Sequence, residues 1–252
     1  MAIYDAFRST RNVSRIKTQA THPTGLGTRV TRMAINYHLQ DQFLDKFFMS
    51  QFGPDFYLTG GTALARFYFH HRESIDLDLF TQNKNTDFAV LNLFVEKIGL
   101  AIGLKTVKQV VTNAFLQYIF EDISGEGLKV DIVKDIPVHF GEFKQEGMIR
   151  VDSLENIGTN KVLAIFGRTD HKDFIDLYYI LHQTQLTFDY LVSLAKQKDV
   201  GLTEFYLANS IDQLQTATQM PALLRPLDVD VYKAFYKQIS EKMLSKLKPE
   251  DT

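Results

Sequence analysis

The sequence contains no cysteine. Disulfides, zinc–thiolate sites, iron–sulfur clusters and a cysteine nucleophile are therefore excluded, and the chain fits a reducing compartment. It also lacks any apolar run approaching the length needed to cross a bilayer. Its opening residues, MAIYDAFRSTRN, have none of the apolar core of a secretory signal. The expectation is a cytoplasmic protein with no membrane segment. Internal repeats and low-complexity tracts are missing, and no G-x-S-x-G, Walker A or G-x-G-x-x-G pattern occurs in the context its chemistry requires. An excess of one charge is missing too: 28 Lys and Arg against 30 Asp and Glu leave a formal net charge of −2. Bulk electrostatic capture of nucleic acid is thereby disfavoured, although a local basic groove would still serve.

What is present suffices for one large domain or two modest ones. The chain has 252 residues, 45% of them hydrophobic and 23% charged, ordinary values for a soluble globular protein. Its positive charge is unevenly spread. Arg8, Arg11, Arg15, Lys17, Arg29 and Arg32 face a single early acid, Asp5, and five lysines from Lys233 to Lys248 mark the C-terminal end. Such segments can contact phosphates or simply form solvated faces.

Residues 1–28 read as a polar, basic arm. Apolar positions at helical spacing (Ile35, Leu39, Phe43, Phe47) predict an amphipathic helix within 29–52. A short strand over 56–59 turns at Gly60-Gly61 into a helix over about 62–70. An alternating strand follows over 74–79, then a helix over 87–103 and three strands near 105–111, 114–121 and 128–133. From residue 150 the pattern is helical, with helices expected over 155–166, 172–181, 188–197, 203–216 and 230–247. Strands with helices first and helices alone afterwards predict an α/β half over 29–150 and a helical half over 151–252.

The informative stretch runs Tyr57-Leu-Thr-Gly-Gly-Thr-Ala-Leu-Ala-Arg66, then Arg72-Glu-Ser-Ile-Asp-Leu-Asp-Leu-Phe80. On a strand, alternate side chains share a face, so Asp76 and Asp78 point one way while Ile75, Leu77 and Leu79 point the other. Two like charges at that spacing repel and raise each other's pKa unless a cation lies between them. A hard divalent ion, Mg2+ or Mn2+, resolves the conflict. Gly60-Gly61 offers torsional freedom and open backbone at a helix start, a seat for phosphate. Thr62 can cap that helix or bond a phosphate oxygen. Asp131, in Leu128-Lys-Val-Asp-Ile-Val133, is a third acid in a strand of β-branched residues, costly to bury without a partner. If its strand lies near that of Asp76 and Asp78, three carboxylates converge, and Asp131 can accept the proton of an attacking hydroxyl. His70 and His71, adjacent on a helix and without a third ligand, read as surface or packing residues rather than metal ligands.

Together G-G-T, R-x-S-x-D-x-D and the later strand aspartate resemble the nucleotidyltransferase superfamily related to DNA polymerase beta. Within it, the chain is similar to the AbiEii/AbiGii toxins of type IV toxin–antitoxin systems. Asn160-Lys161-Val-Leu-Ala-Ile-Phe-Gly-Arg168 and His171-Lys-Asp173-Phe-Ile-Asp176-Leu-Tyr178 resemble that family's lysine motif and its K-D-x-x-D-L-Y motif. The resemblance covers residues 55–182. It implies an α+β fold, a nucleotidyltransferase-like mixed β-sheet with flanking helices followed by a C-terminal helical domain. It further implies Gly60 and Gly61 at the nucleotide phosphates, with Thr62 and Arg168 in the same nucleotide site. Asp76, Asp78 and Asp131 would bind metal, Lys161 would face the triphosphate or base, and Asp173 and Asp176 would complete the catalytic set. The alternative for that last pair is an internal salt bridge to Lys161 or Arg168, since residues three apart share a helix face. Lys161 and Arg168 can share a face only if the helix survives Gly167.

The expected reaction is transfer of a nucleoside monophosphate from a nucleoside triphosphate to an acceptor hydroxyl, with RNA, especially a tRNA 3′ end, as acceptor and an antitoxin as partner protein. The competing readings are a phosphotransferase with the same site and a catalytically silent protein that binds nucleotide or a partner.

Overall fold

A computed structural model describes residues 37–217 and 219–246. The basic arm, the start of the helix expected over 29–52 and Lys248 lie outside the described residues. Helix α1 spans His38–Phe48 and buries Leu39, Phe43, Leu44, Phe47 and Phe48, the 3–4 spacing of an amphipathic helix. A single 3-10 turn over Gly53–Asp55 leads to strand β1, Phe56–Thr59, buried at every position. Helix α2, Gly60–Leu64, begins at the first glycine of the pair and runs on as a π-helical turn over Ala65–Phe69. His70, in the left-handed conformation at φ 49°, ends it.

Strand β2, Asp76–Thr81, starts two residues later than the alternation predicts, because the Ser74 and Ile75 carbonyls accept from the Gln40 side-chain amide instead of from a ladder. Helix α3, Phe88–Ala101, is capped by Asp87, whose carboxylate accepts from the amides of Ala89 and Val90. Strands β3, Lys105–Val111, β4, Phe115–Glu121, and β5, Gly127–Lys134, follow as an antiparallel meander. A hairpin of three-residue strands, β6 (Lys144–Glu146) and β7 (Ile149–Val151), turns at Gly147, whose φ is +57°. The strand pattern does not announce it, since neither strand is long enough to show an alternation.

The seven strands form one mixed sheet in the order β3-β4-β5-β2-β1-β7-β6. Two pairings are parallel, β2 with β5 and β1 with β7, and the others are antiparallel. Leu77 and Leu79 of β2, Val130 and Ile132 of β5 and Leu116, Tyr118 and Phe120 of β4 face a core shared with α1 and α3. Phe47 meets Phe56 edge-on at 5.2 Å, and Phe43 meets Phe120 at 6.3 Å.

Five helices follow the sheet: α4 (Leu154–Gly167), α5 (His171–Gln183), α6 (Phe188–Lys198), α7 (Glu204–Asp212) and α8 (Val229–Ser245). Ser153, Asp170, Thr187, Thr203 and Asp228 cap them in turn. The chain between α7 and α8 returns to the sheet side. There Arg72 bridges Leu223, and the amides of Leu224 and Glu73 donate to His71 and Ala222 at 2.9 and 2.8 Å. This α+β arrangement places residues 71–73, just ahead of β2, against the helical layer. Among the described residues no helix is long and apolar enough to cross a membrane.

Candidate active site

Parallel pairing of β2 with β5 sets Asp78 opposite Asp131 and Asp76 opposite Lys129. Paired residues on adjacent strands share a face, so the three carboxylates and the lysine gather on the side of the sheet away from the apolar core. The Lys129 ammonium lies 2.8 Å from Asp131 Oδ2 and 3.3 Å from Asp76 Oδ2. Gln117, opposite Asp131 on β4, donates its amide to the other Asp131 oxygen at 2.9 Å. Asp131 is deeply buried and Asp76 is much more open, with 3% and 36% of their side chains exposed. Burial, and next the charge of Asp131, push the Asp78 carboxyl up to about 7. Burial also raises Asp131, against the pull of Lys129 and Gln117.

Gly60 has φ +73°, a conformation that favours glycine, and a Cβ there would collide with the Asp78 carboxylate. The reason lies in the register: Thr59 is paired with Asp78, so the residue that follows Thr59 must pass over the acid's side chain. At Gly61 a Cβ would strike the Arg72 guanidinium. The two glycines thus make room for a carboxylate on one side and a guanidinium on the other. Thr62 is fully buried and its hydroxyl is spent on Ser74 Oγ, at 3.0 Å, and on the Asp76 carbonyl. It ties the start of α2 to β2, and the helix cap position falls to Thr59 instead.

Arg72 leads from this turn into a buried ion network. It grips Asp176 with Nε at 2.6 Å and Nη2 at 2.7 Å, a bidentate pair. His71 Nε2 lies 2.8 Å from the same carboxylate, and Lys161 Nζ reaches it at 2.6 Å. Lys161 also donates to Asp173 at 2.9 Å, and Arg168 closes on Asp173 through Nε at 2.6 Å and through Nη2. Asp176 is held well below the ordinary carboxylate range and Asp173 is lowered, because the cations around them outweigh their burial. The partners Lys161 and Arg72 keep their protons more tightly than usual for the same reason.

The residues singled out in the sequence therefore fall into two adjoining groups. Asp76, Asp78 and Asp131 converge with Gly60 beside them. Lys161, Arg168, Asp173 and Asp176 form the ion network, in the salt-bridged arrangement that their spacing allows. Helix α4 ends at Gly167 and Arg168 is extended (φ −161°), yet both cations reach Asp173, because the chain's turn and not a common helix face brings them there. Of the two histidines His70 is exposed and His71 fully buried, paired to Asp176. Four contributors escaped the sequence reading. Lys129 and Asp131 form a K-x-D whose shared face was visible, but Lys129's partner Asp76 depends on strand pairing. Gln117 depends on register alone. Arg72 stood inside the R-x-S-x-D-x-D motif without a role, and His71 was set aside as packing.

The acidic group suits a hard divalent cation. Its donors are all carboxylate oxygens, they carry like charges on neighbouring strands, and one of them, Asp78, is costly to ionise as it stands. Among the described residues no three acid or histidine side chains already form a ligand shell, and Lys129 lies between two of the three acids. Asp76, Asp78 and Asp131 are the residues that would hold the ion.

Solved structures with this fold include a proposed nucleotidyltransferase from H. pylori (TM-score 0.56, 20% identity, covering 84% of this chain and 96% of that one). JHP933 from Helicobacter pylori (0.54, 18%, 83% and 90%) and MenT4, a nucleotidyltransferase toxin from Mycobacterium tuberculosis H37Rv (0.53, 17%, 83% and 82%), are also similar. No curated protein matches. These likenesses define the fold class, and the family match assigns the activity. The chain belongs to the AbiEii family, the nucleotidyl transferase AbiEii toxins of type IV toxin–antitoxin systems, whose pattern matches residues 42–248. Membership implies a nucleotide substrate and an antitoxin partner, and enzymes of this class generally use divalent metal ions.

Proposed function

We propose that this toxin-family enzyme works in the cytoplasm and transfers a nucleoside monophosphate from a nucleoside triphosphate to a hydroxyl of RNA, with tRNA 3′ ends the first acceptors to test. Asp76, Asp78 and Asp131 hold Mg2+ or Mn2+ in this reading. The observation that carries it is the register of β2 on β5, which sets Asp78 against Asp131 with Asp76 two residues along the same face. A bound divalent ion supplies charge neutralisation at the phosphates and at the leaving pyrophosphate. Asp131, oriented by Gln117 and raised by burial, is the group suited to take the proton of the acceptor hydroxyl. The open backbone at Gly60-Gly61 is the proposed phosphate seat. Lys161, Asp173 and Asp176 act by position: their network fixes Arg72 beneath Gly61, and Lys161's charge opposes the rise in the Asp78 pKa.

The test is incubation of the purified chain with each nucleoside triphosphate labelled at the α-phosphate, Mg2+ and total RNA. Label should pass to RNA from one or more nucleotides and not in Asp76→Ala. Transfer of label only from the γ-phosphate would replace this reading with phosphotransfer, and full turnover in Asp76→Ala would remove the acids from the reaction.

A further inference from the structure

Lys129 occupies an unusual place for a lysine on an enzyme's acidic site. It is on β5, two residues before Asp131 and directly across from Asp76, and its ammonium reaches both carboxylates. An ammonium on a four-carbon stem is a compact charge that can be relocated at little cost. The lysine is not sealed in either: 29% of its side chain is exposed, against 3% for Asp131. Its charge sits where the electrostatics of three converging carboxylates demand a cation, and where a metal ion bound by Asp76 and Asp131 would have to stand.

Resting on the reading of Asp76, Asp78 and Asp131 as the metal-holding acids, we propose that Lys129 is an internal substitute for the divalent ion. Its ammonium bridges Asp76 and Asp131 in the ion-free enzyme, and the ammonium and the ion exclude one another there. When the ion enters, the side chain swings away from the two carboxylates along the open face of the sheet, toward the anionic phosphates of a bound nucleoside triphosphate. Two consequences follow. The ion-free site stays folded, because its negative charge is never left uncompensated. Ion binding is weakened by the competition and is strengthened by nucleotide, whose phosphates receive the displaced ammonium.

The decisive measurement is Mn2+ binding by calorimetry, without nucleotide, on the full chain and on Lys129→Met, which keeps the stem and removes the charge. Lys129→Met should bind Mn2+ about tenfold or more tightly than the wild type, the scale on which a neighbouring unit charge shifts an ionic equilibrium. Lys129→Arg, which retains the charge, should stay as weak as the wild type. In the wild type itself, acylation of amines read by peptide mass mapping should show Lys129 becoming several-fold more reactive when Mn2+ is added. Mn2+ binding of equal strength in wild type and Lys129→Met, or unchanged reactivity of Lys129, would overturn the proposal while leaving the metal reading intact. No Mn2+ binding by either chain would overturn both. Should Lys129→Met fail to fold, the acylation experiment on the unaltered chain decides.

Discussion

Four donor contacts converge on the buried carboxylate of Asp176: two from Arg72, one from Lys161 and one from His71. Removing its charge strands the buried Arg72 guanidinium and leaves Lys161 with Asp173 alone, so Asp176→Asn should lose about 3–5 kcal/mol, on the order of 10 °C of melting temperature for a chain of this length. The loss should depend on pH. Asp176 lies well below its ordinary value of 3.8 in the fold, so its contribution is complete above that value and vanishes as pH falls through the folded one. The melting difference between wild type and Asp176→Asn should hold constant from about pH 8 to 5 and shrink only in stronger acid; a difference that closes near neutrality would contradict the assignment. Asp78→Asn should behave in the opposite manner. Burial beside Asp131 already makes its ionised form costly, so the variant should melt at or above the wild-type temperature. Transfer should fall about a thousandfold, the several kcal/mol that a metal-held charge supplies.

At the scale of elements, the turn from β1 into α2 carries the tightest constraints. Gly61→Ala must push the Arg72 guanidinium aside, which costs about 1–3 kcal/mol as overpacking and loosens the link to Asp176. Gly167→Ala is the matched comparison. A Cβ there meets nothing within 4 Å, so that variant should be neutral or gain about 0.4–1 kcal/mol from a stiffer unfolded chain. Equal melting temperatures for the two variants would show that Arg72 does not need the space above it. The start of α4 gives a separate test. Ser153 accepts from the Asn156 amide and donates to the Phe140 carbonyl, so Ser153→Ala should cost about 1 kcal/mol by denaturant midpoint, with no effect on nucleotide transfer.

At the scale of the whole molecule, a change from strands to helices near residue 150 invites a division into two domains, yet the contacts run across it. One apolar cluster extends from Leu39 on α1 to Met243 on α8, and the Asp176 network joins residues 71–72 to α4 and α5. We therefore expect residues 37–246 to unfold in a single cooperative step, with coincident midpoints by far-ultraviolet circular dichroism and by tyrosine fluorescence. Two separated transitions would instead establish independent sheet and helical domains.

Local order was legible in the sequence wherever local chemistry decides it. The 3–4 spacing of Leu39, Phe43 and Phe47 and the alternation through Asp76–Leu79 each act within a few residues, so their elements lie close to where the pattern puts them. The same holds for Asp76 and Asp78, whose common face follows from strand geometry alone. The β6–β7 hairpin was not legible, because three-residue strands show no period and owe their existence to β1 beside them. Nor was the partner of any long-range pair. Register between β2 and β5 decides that Asp131 meets Asp78 and that Lys129 reaches Asp76. Register between β4 and β5 brings in Gln117, and the helical layer brings Asp176 to Arg72. The sequence by itself determined which side chains were available for chemistry and how each segment would curl or extend. Tertiary structure alone decided which charges neighbour which, since pairing between distant segments is set by how their apolar faces close on one core, and no residue carries that information locally.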